Sequence, residues 1–358
     1  MQTGLAVALF ALLSAALPAT GRAGTAAGDG AGEEMVGLDT SIGRVEYRPG
    51  RGLHFGDTSL TIGGFVTAEA SRLEDGESRG GLEGANFLVT LDPTPYLHLF
   101  AELSEGPIAV AENGSKGVQS GSGLDVDRLY VDAGNSDALN LRIGTFFTPI
   151  GRWNQAPADP FLWTTSEPLI VEGVFDETVK GAMLWGRWFP RGGALTYSLF
   201  GTFFDPVTHA PDTPEADQGV GARLEWANLE GWSLGASYVA SDLPRKGWNH
   251  VAGVDGVWQP SARLELSAEA LFRESRHRKD SLWGLYAQAV VETVPTLYAV
   301  GRYERFDPPG DGSDVDLFDI GLTWIPAYYL RLKADYRFAD TSTDLSAAGF
   351  QASFSLLF

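Results

Sequence analysis

The chain has no cysteine, and its 358 residues include only 3 methionines and 5 histidines. Without cysteine there are no disulfide staples, thiolate metal sites or thiol nucleophiles, which suits a chain that crosses an oxidising compartment. No stretch of eighteen apolar residues occurs, and this excludes a membrane protein built on apolar helical spans of about 20 residues. Basic blocks are missing too. The chain carries 26 Lys and Arg against 46 Asp and Glu, a formal charge of −20, whereas nucleic acid requires a basic face. No Pro/Ser-rich linker or composition break divides the chain after about residue 59, so one large domain is the simplest organisation.

What is present points to strands. There are 44 Gly, 10 Trp, 20 Phe and 11 Tyr, and the mean hydropathy of −0.06 fits a barrel wall in which only every second residue faces lipid. Alternation between turn signals predicts about sixteen segments, with cores near 60–72, 82–91, 97–105, 124–133, 139–147, 178–189, 194–204, 218–227, 231–241, 248–258, 262–273, 281–291, 296–306, 315–326, 329–339 and 349–358. A tilted strand needs about 9–11 residues to cross a bilayer. In 330–338, Arg331, Lys333, Asp335 and Arg337 alternate with Leu330, Leu332, Ala334, Tyr336 and Phe338. The segment 262–273 repeats that two-faced pattern.

The connections alternate between tight and long. The tight ones are 92–95, 135–138, 190–193, 228–230, 259–261, 293–295 and 326–328; the long ones include 73–81, 106–123, 148–177, 205–217, 274–280, 307–314 and 340–348. An even strand number with one-sided long loops is the pattern of a transmembrane barrel with short periplasmic turns. Trp188, Phe189, Trp226, Trp232, Trp258, Trp324, Tyr328 and Tyr329 flank the tight turns, where rings with a polar edge favour the membrane interface. The expectation is an all-β fold, a transmembrane antiparallel β-barrel of about 16 strands over 60–358, with a long inward-folding loop after strand 5.

Ahead of the barrel, Leu5 to Leu17 reads as the apolar region of a secretory signal, with cleavage after Ala23 or Ala19, although no Lys or Arg precedes it. Residues 1–23 are therefore expected to be a signal peptide and 24–59 an N-terminal periplasmic segment.

Strand parity places Arg128, Asp132, Arg142, Arg223, Glu225, Arg263, Glu265, Arg302, Glu304, Arg331, Lys333, Asp335 and Arg337 inside, with Glu69, Glu102 and Glu269. In the long loop, Arg152, Glu167, Glu172, Asp176 and Glu177 are candidates to line a constriction, and Trp153, Phe161, Leu162 and Trp163 to pin the loop to the wall. Opposed charges in a water-filled lumen favour small hydrophilic solutes or ions. The plainer alternative is that each charge pairs with a cross-strand neighbour to hold register. Acidic external loops such as 307–314 suggest a modest cation preference. Neither G-x-S-x-G nor H-E-x-x-H occurs, so no cofactor, metal or catalytic site is expected. A barrel with a phospholipase-like or protease-like activity, or an adhesin or structural role, is the alternative.

Two stretches carry a family resemblance. Leu141 to Asn154, a strand running into Pro149-Ile-Gly151, resembles porins related to the phosphate-selective (O/P-like) superfamily. That resemblance implies a Gram-negative outer-membrane barrel, passive transport and often a homotrimer. Phosphate selectivity does not carry over, because it needs a dense Lys/Arg ladder and the expected lumen is mixed. The final strand, with Phe350, Ala352, Phe354, Leu356 and Phe358 on one face, resembles the C-terminal signal of outer-membrane barrels. It implies recognition by the barrel-assembly machinery and residence among outer-membrane lipid and lipopolysaccharide.

Overall fold

The computed structural model describes residues 36–40, 43–56, 58–113, 123–171, 174–202, 218–243, 247–275, 281–308, 314–339 and 347–358. The expected signal peptide and Glu172 lie outside them. Three short strands come first, β1 (Val36–Thr40), β2 (Gly43–Arg48) and β3 (Gly52–Phe55), followed by β4 (Leu60–Leu73), β5 (Ser78–Thr94), β6 (Leu97–Glu105), β7 (Ala109–Glu112), β8 (Leu124–Ser136), β9 (Leu139–Phe147) and β10 (Thr178–Trp188). Then come β11 (Gly193–Thr202), β12 (Gln218–Asn228), β13 (Trp232–Leu243), β14 (Gly247–Ser261), β15 (Leu264–Ser275), β16 (Leu282–Val294), β17 (Leu297–Asp307), β18 (Val315–Ala327), β19 (Leu330–Ala339) and β20 (Gly349–Leu357).

Setting aside β1–β3 and β7, sixteen strands form one closed antiparallel barrel. Closure is made by β20 on β4, in register from Gly349↔Leu73 to Leu357↔Phe65. The three leading strands pair among themselves and join β4 through Leu53↔Ile62 and His54↔Thr61. β7 pairs with Arg79–Leu82 of β5 within a stretch expected to be loop.

Each expected segment coincides with a barrel strand, and the differences lie at the ends. Pro93, Pro260 and Pro326 were turn signals in the sequence, yet β5, β14 and β18 run past them, and the register shifts there, between Leu91/Thr94, Trp258/Ser261 and Trp324/Ala327. Proline has no N–H to give a ladder and is tolerated where the ladder is broken. A further bulge lies in β8. Its register against β6 jumps from Glu102↔Arg128 to Leu103↔Val126, so Asp127 is the extra residue and parity changes across it.

The outer face is apolar. Leu129, Ile143, Leu199, Leu224, Ile320 and Leu322 are exposed there, and Leu234 and Val254 are each 59% exposed. A continuous apolar band is costly in water and normal against lipid. The inner face is less uniform than expected. Phe146, Val179, Phe200, Val239, Val251, Leu271, Leu282, Phe306, Val315 and Leu317, all toward the long-loop ends of their strands, cluster with Ile150, Trp153, Leu162, Leu169, Ile170 and Val174 of the connection 148–177. Burying these apolar side chains against one another holds that connection to the wall.

Candidate functional site

The connection between β9 and β10 is hydrogen-bonded to charged side chains of β15 and β17–β19. It first meets β15 at Gly151, where φ is +58° and an added Cβ would lie 1.7 Å from Glu269 Oε1. Only glycine combines that backbone with that approach. The next two amides, Arg152 N and Trp153 N, donate to Glu269 Oε2 at 2.9 and 3.1 Å. Further along, Thr165 N donates to Asp335 Oδ1 and Leu169 N to Glu304 Oε2, both at 2.8 Å. Cations take the carbonyls. Arg331 Nη1 donates to Leu162 O at 2.9 Å, Lys333 Nζ to Thr164 O at 3.0 Å, Arg302 Nη1 to Ser166 O at 2.9 Å and Arg337 Nη2 to Glu167 O at 3.5 Å.

Those wall charges also bond one another. Arg302 is 1% exposed and donates to Glu304 at 2.8 Å and to Asp319 at 2.6 Å, while Arg337 donates to Asp319 at 2.9 Å. In a place with little water such charge-assisted bonds are strong, and an unpaired member is costly. Of the expected pinning residues, Trp153 packs edge-on to Tyr286 with centroids 5.9 Å apart, Trp163 Nε1 donates to Glu265 Oε1 at 3.2 Å, and Leu162 is buried. Phe161 does not pin anything; it is exposed.

The wall from β4 to β12 is different. Its ion pairs join side chains of the strands: Arg128 with Glu102, Arg142 with both oxygens of Asp132 at 2.8 Å, and Arg223 with Glu225 of its own strand at 3.0 Å and, across β13, with Asp255 of β14. Two cavities lie against this wall. One of about 450 Å³ is lined by Glu102, Asp127, Asp159, Glu167, Glu177 and Lys180, together with Phe65 and Phe147. The other, of about 220 Å³, is lined by Arg128, Arg142, Arg223 and Glu225, with Phe147, Met183 and Trp185. Partial loss of water pushes the Glu177 carboxyl up, Asp127 and Glu102 push it the same way, and Arg128 opposes them. Among the described residues no group of three His, Cys, Asp or Glu could hold a metal ion.

The expected lining residues thus separate. Arg128, Asp132, Arg142, Arg223 and Glu225 belong to the open wall, and Glu167 lines the acidic cavity. Glu265, Arg302, Glu304, Arg331, Lys333, Asp335 and Arg337 are bonded to the loop. Arg152 is attached through its amide, with its side chain exposed. Arg263 is not on a strand; it sits exposed in the turn between β14 and β15.

Several charged residues escaped the sequence expectation, Asp159 of the loop among them. Asp127 is turned by the bulge, which period-2 counting cannot foresee. Asp319 was legible, because Phe318, Ile320, Leu322 and Trp324 form the outward row and leave it inside. Asp255 lay in a run of small residues with weak contrast, and Lys180 at the loop exit.

No protein-family model and no curated protein matches the chain. Solved structures do. An anion-selective porin from Comamonas acidovorans aligns with TM-score 0.63 at 14% identity, covering 84% of this chain and 100% of that one. OmpF of Salmonella typhi, in complex with daunomycin, gives 0.63 at 12%, covering 84% and 98%. OmpT, an outer membrane protein of Vibrio cholerae, gives 0.60 at 10%, covering 84% and 98%. At such identities the likeness is one of fold, and the shared fold is the sixteen-stranded barrel.

Proposed function

We propose that the protein is a porin of a Gram-negative outer membrane, passing small hydrophilic solutes or ions by diffusion through water-filled space beside the loop. The observation that carries this reading is the divided interior. The connection 148–177 is fastened to charges of β15 and β17–β19, while cavities of about 450 and 220 Å³ lie against β4–β12. In this reading the loop is the constriction, and the charges beside the cavities act on solutes. The outward apolar band and the rings at the tight turns support a place in lipid and lipopolysaccharide, reached through a cleaved signal. Phe350, Phe354, Leu356 and Phe358 would be the signal for the barrel-assembly machinery, and a homotrimer is the expected assembly. The likeness of Leu141–Asn154 to the O/P-like superfamily supports descent from such pores without phosphate selectivity, because the charges on the wall are mixed in sign and form no dense Lys/Arg ladder.

Liposome swelling tests the reading. Vesicles carrying the folded protein should swell in small sugars. Folded barrels without swelling would favour an adhesin or structural role, and lipid or peptide hydrolysis would favour an enzyme.

A further inference from the structure

We propose that the smaller cavity, between β8–β12 and the start of the loop, is a binding site for a small aromatic carboxylate. The proposal rests on the porin reading for its biological sense and on the cavity for its chemistry.

Guanidinium donors without partners point to an anion. In two of the ion pairs here the carboxylate is buried more deeply than its cation, with side-chain exposures of 5% for Glu102 against 19% for Arg128 and 13% for Asp132 against 20% for Arg142; in the third, Arg223 is held by buried Asp255 and by the more exposed Glu225. Only the arginines of these three pairs line the cavity, with Glu225 as its one acid. The acids hold the Arg128 and Arg142 guanidinium groups without using all of their donors. Arg142 uses Nε and Nη2 on Asp132, and Arg128 uses Nε on Glu102. Among the described residues Arg142 Nη1 and both Nη nitrogens of Arg128 have no partner. Such planar donors suit a carboxylate.

The remaining lining points to a ring. Arg142 Cζ lies 3.7 Å from the centroid of Tyr130, and Arg128 Cζ lies between two rings, 4.1 Å from the centroid of Phe147 and 4.8 Å from that of Phe100. Guanidinium groups here are thus already ring partners, and Arg142, with Trp185 5.8 Å away, can take a further aromatic ring. Trp185 and Met183 complete an apolar side, and Trp185 Nε1 is a buried donor without a partner among the described residues. At about 220 Å³ the space is below the roughly 300–1,000 Å³ of sites for drug-sized ligands, so a single substituted ring is the fitting size. The neighbouring acidic cavity shares Phe147, and this makes an aromatic amine the informative control.

The test is titration calorimetry on the folded, detergent-solubilised protein with benzoate, cyclohexanecarboxylate and benzylamine. Benzoate should bind most tightly. Trp185→Leu should weaken it about 2- to 10-fold through lost ring contact. Arg142→Lys keeps the charge and loses the plane, and should weaken it by a comparable factor. Equal binding of benzoate and cyclohexanecarboxylate, tighter binding of benzylamine, or no change in both variants would overturn the proposal. Single-channel recording on the same preparation separates the two readings. Open channels with no benzoate preference sink the site alone, and closed barrels that bind benzoate sink only the porin reading.

Discussion

The two halves of the barrel interior are written in the same alternating code and do different things with it. Beside β17–β19, Arg302, Glu304, Asp319 and Arg337 form a buried network whose outer edge is the main chain of the loop. Beside β8–β12, Arg128, Arg142 and Arg223 pair with wall neighbours and border open space. The decisive difference is what lies opposite. A lumen charge facing a folded loop becomes a structural anchor, and one facing water remains available to a solute.

The largest effect that separates the halves should come from truncating the most buried anchor. Arg302→Ala leaves Glu304 and Asp319 short of a partner and should cost about 3–5 kcal/mol, read as a lower unfolding midpoint in detergent. Arg142→Ala, on the wetter wall, should cost less. Equal losses would erase the distinction between the halves.

Next in size is Gly151→Ala. A non-glycine residue in this left-handed conformation costs about 1–2 kcal/mol, and its Cβ would collide with Glu269 Oε1. The loop start should shift, so the channel conductance should change more clearly than the unfolding midpoint. A variant with unaltered conductance would show that the Glu269 contact does not set the loop position.

The smallest effect belongs to Glu177. Its carboxyl is pushed up on folding, so the folded state favours the protonated form. The resulting stabilisation is fully present below the unfolded value of about 4.3 and is lost as pH rises through the folded one. Glu177→Gln should therefore flatten the fall in unfolding midpoint from acidic to neutral pH. A profile identical to that of the parent would contradict it.

The barrel was legible because its outer face is regular. Rows such as Phe318, Ile320, Leu322 and Trp324 mark strand parity, and that parity turns Arg302, Lys333 and Arg337 away from the outer face; all three are buried. What those charges meet inside was not legible, since period 2 reports a facing and says nothing of partners. The apolar layer of Val251, Leu271, Phe306 and Leu317 under the loop was hidden for the same reason. Bulges set a second limit. One extra residue brings Asp127 to the acidic cavity, and the prolines that seemed to mark turns mark breaks in the ladder instead. In the leading segment β1–β3 are short and glycine-rich, and gave no strand signal.

Single-channel recording of the intact protein beside a variant lacking Trp153 to Glu172 tests the central claim most directly, namely that solutes pass through a channel narrowed by the loop. The account predicts discrete open channels for the intact protein and a higher conductance after the deletion. A folded barrel that opens no channel, or one whose conductance the deletion leaves unchanged, would contradict it.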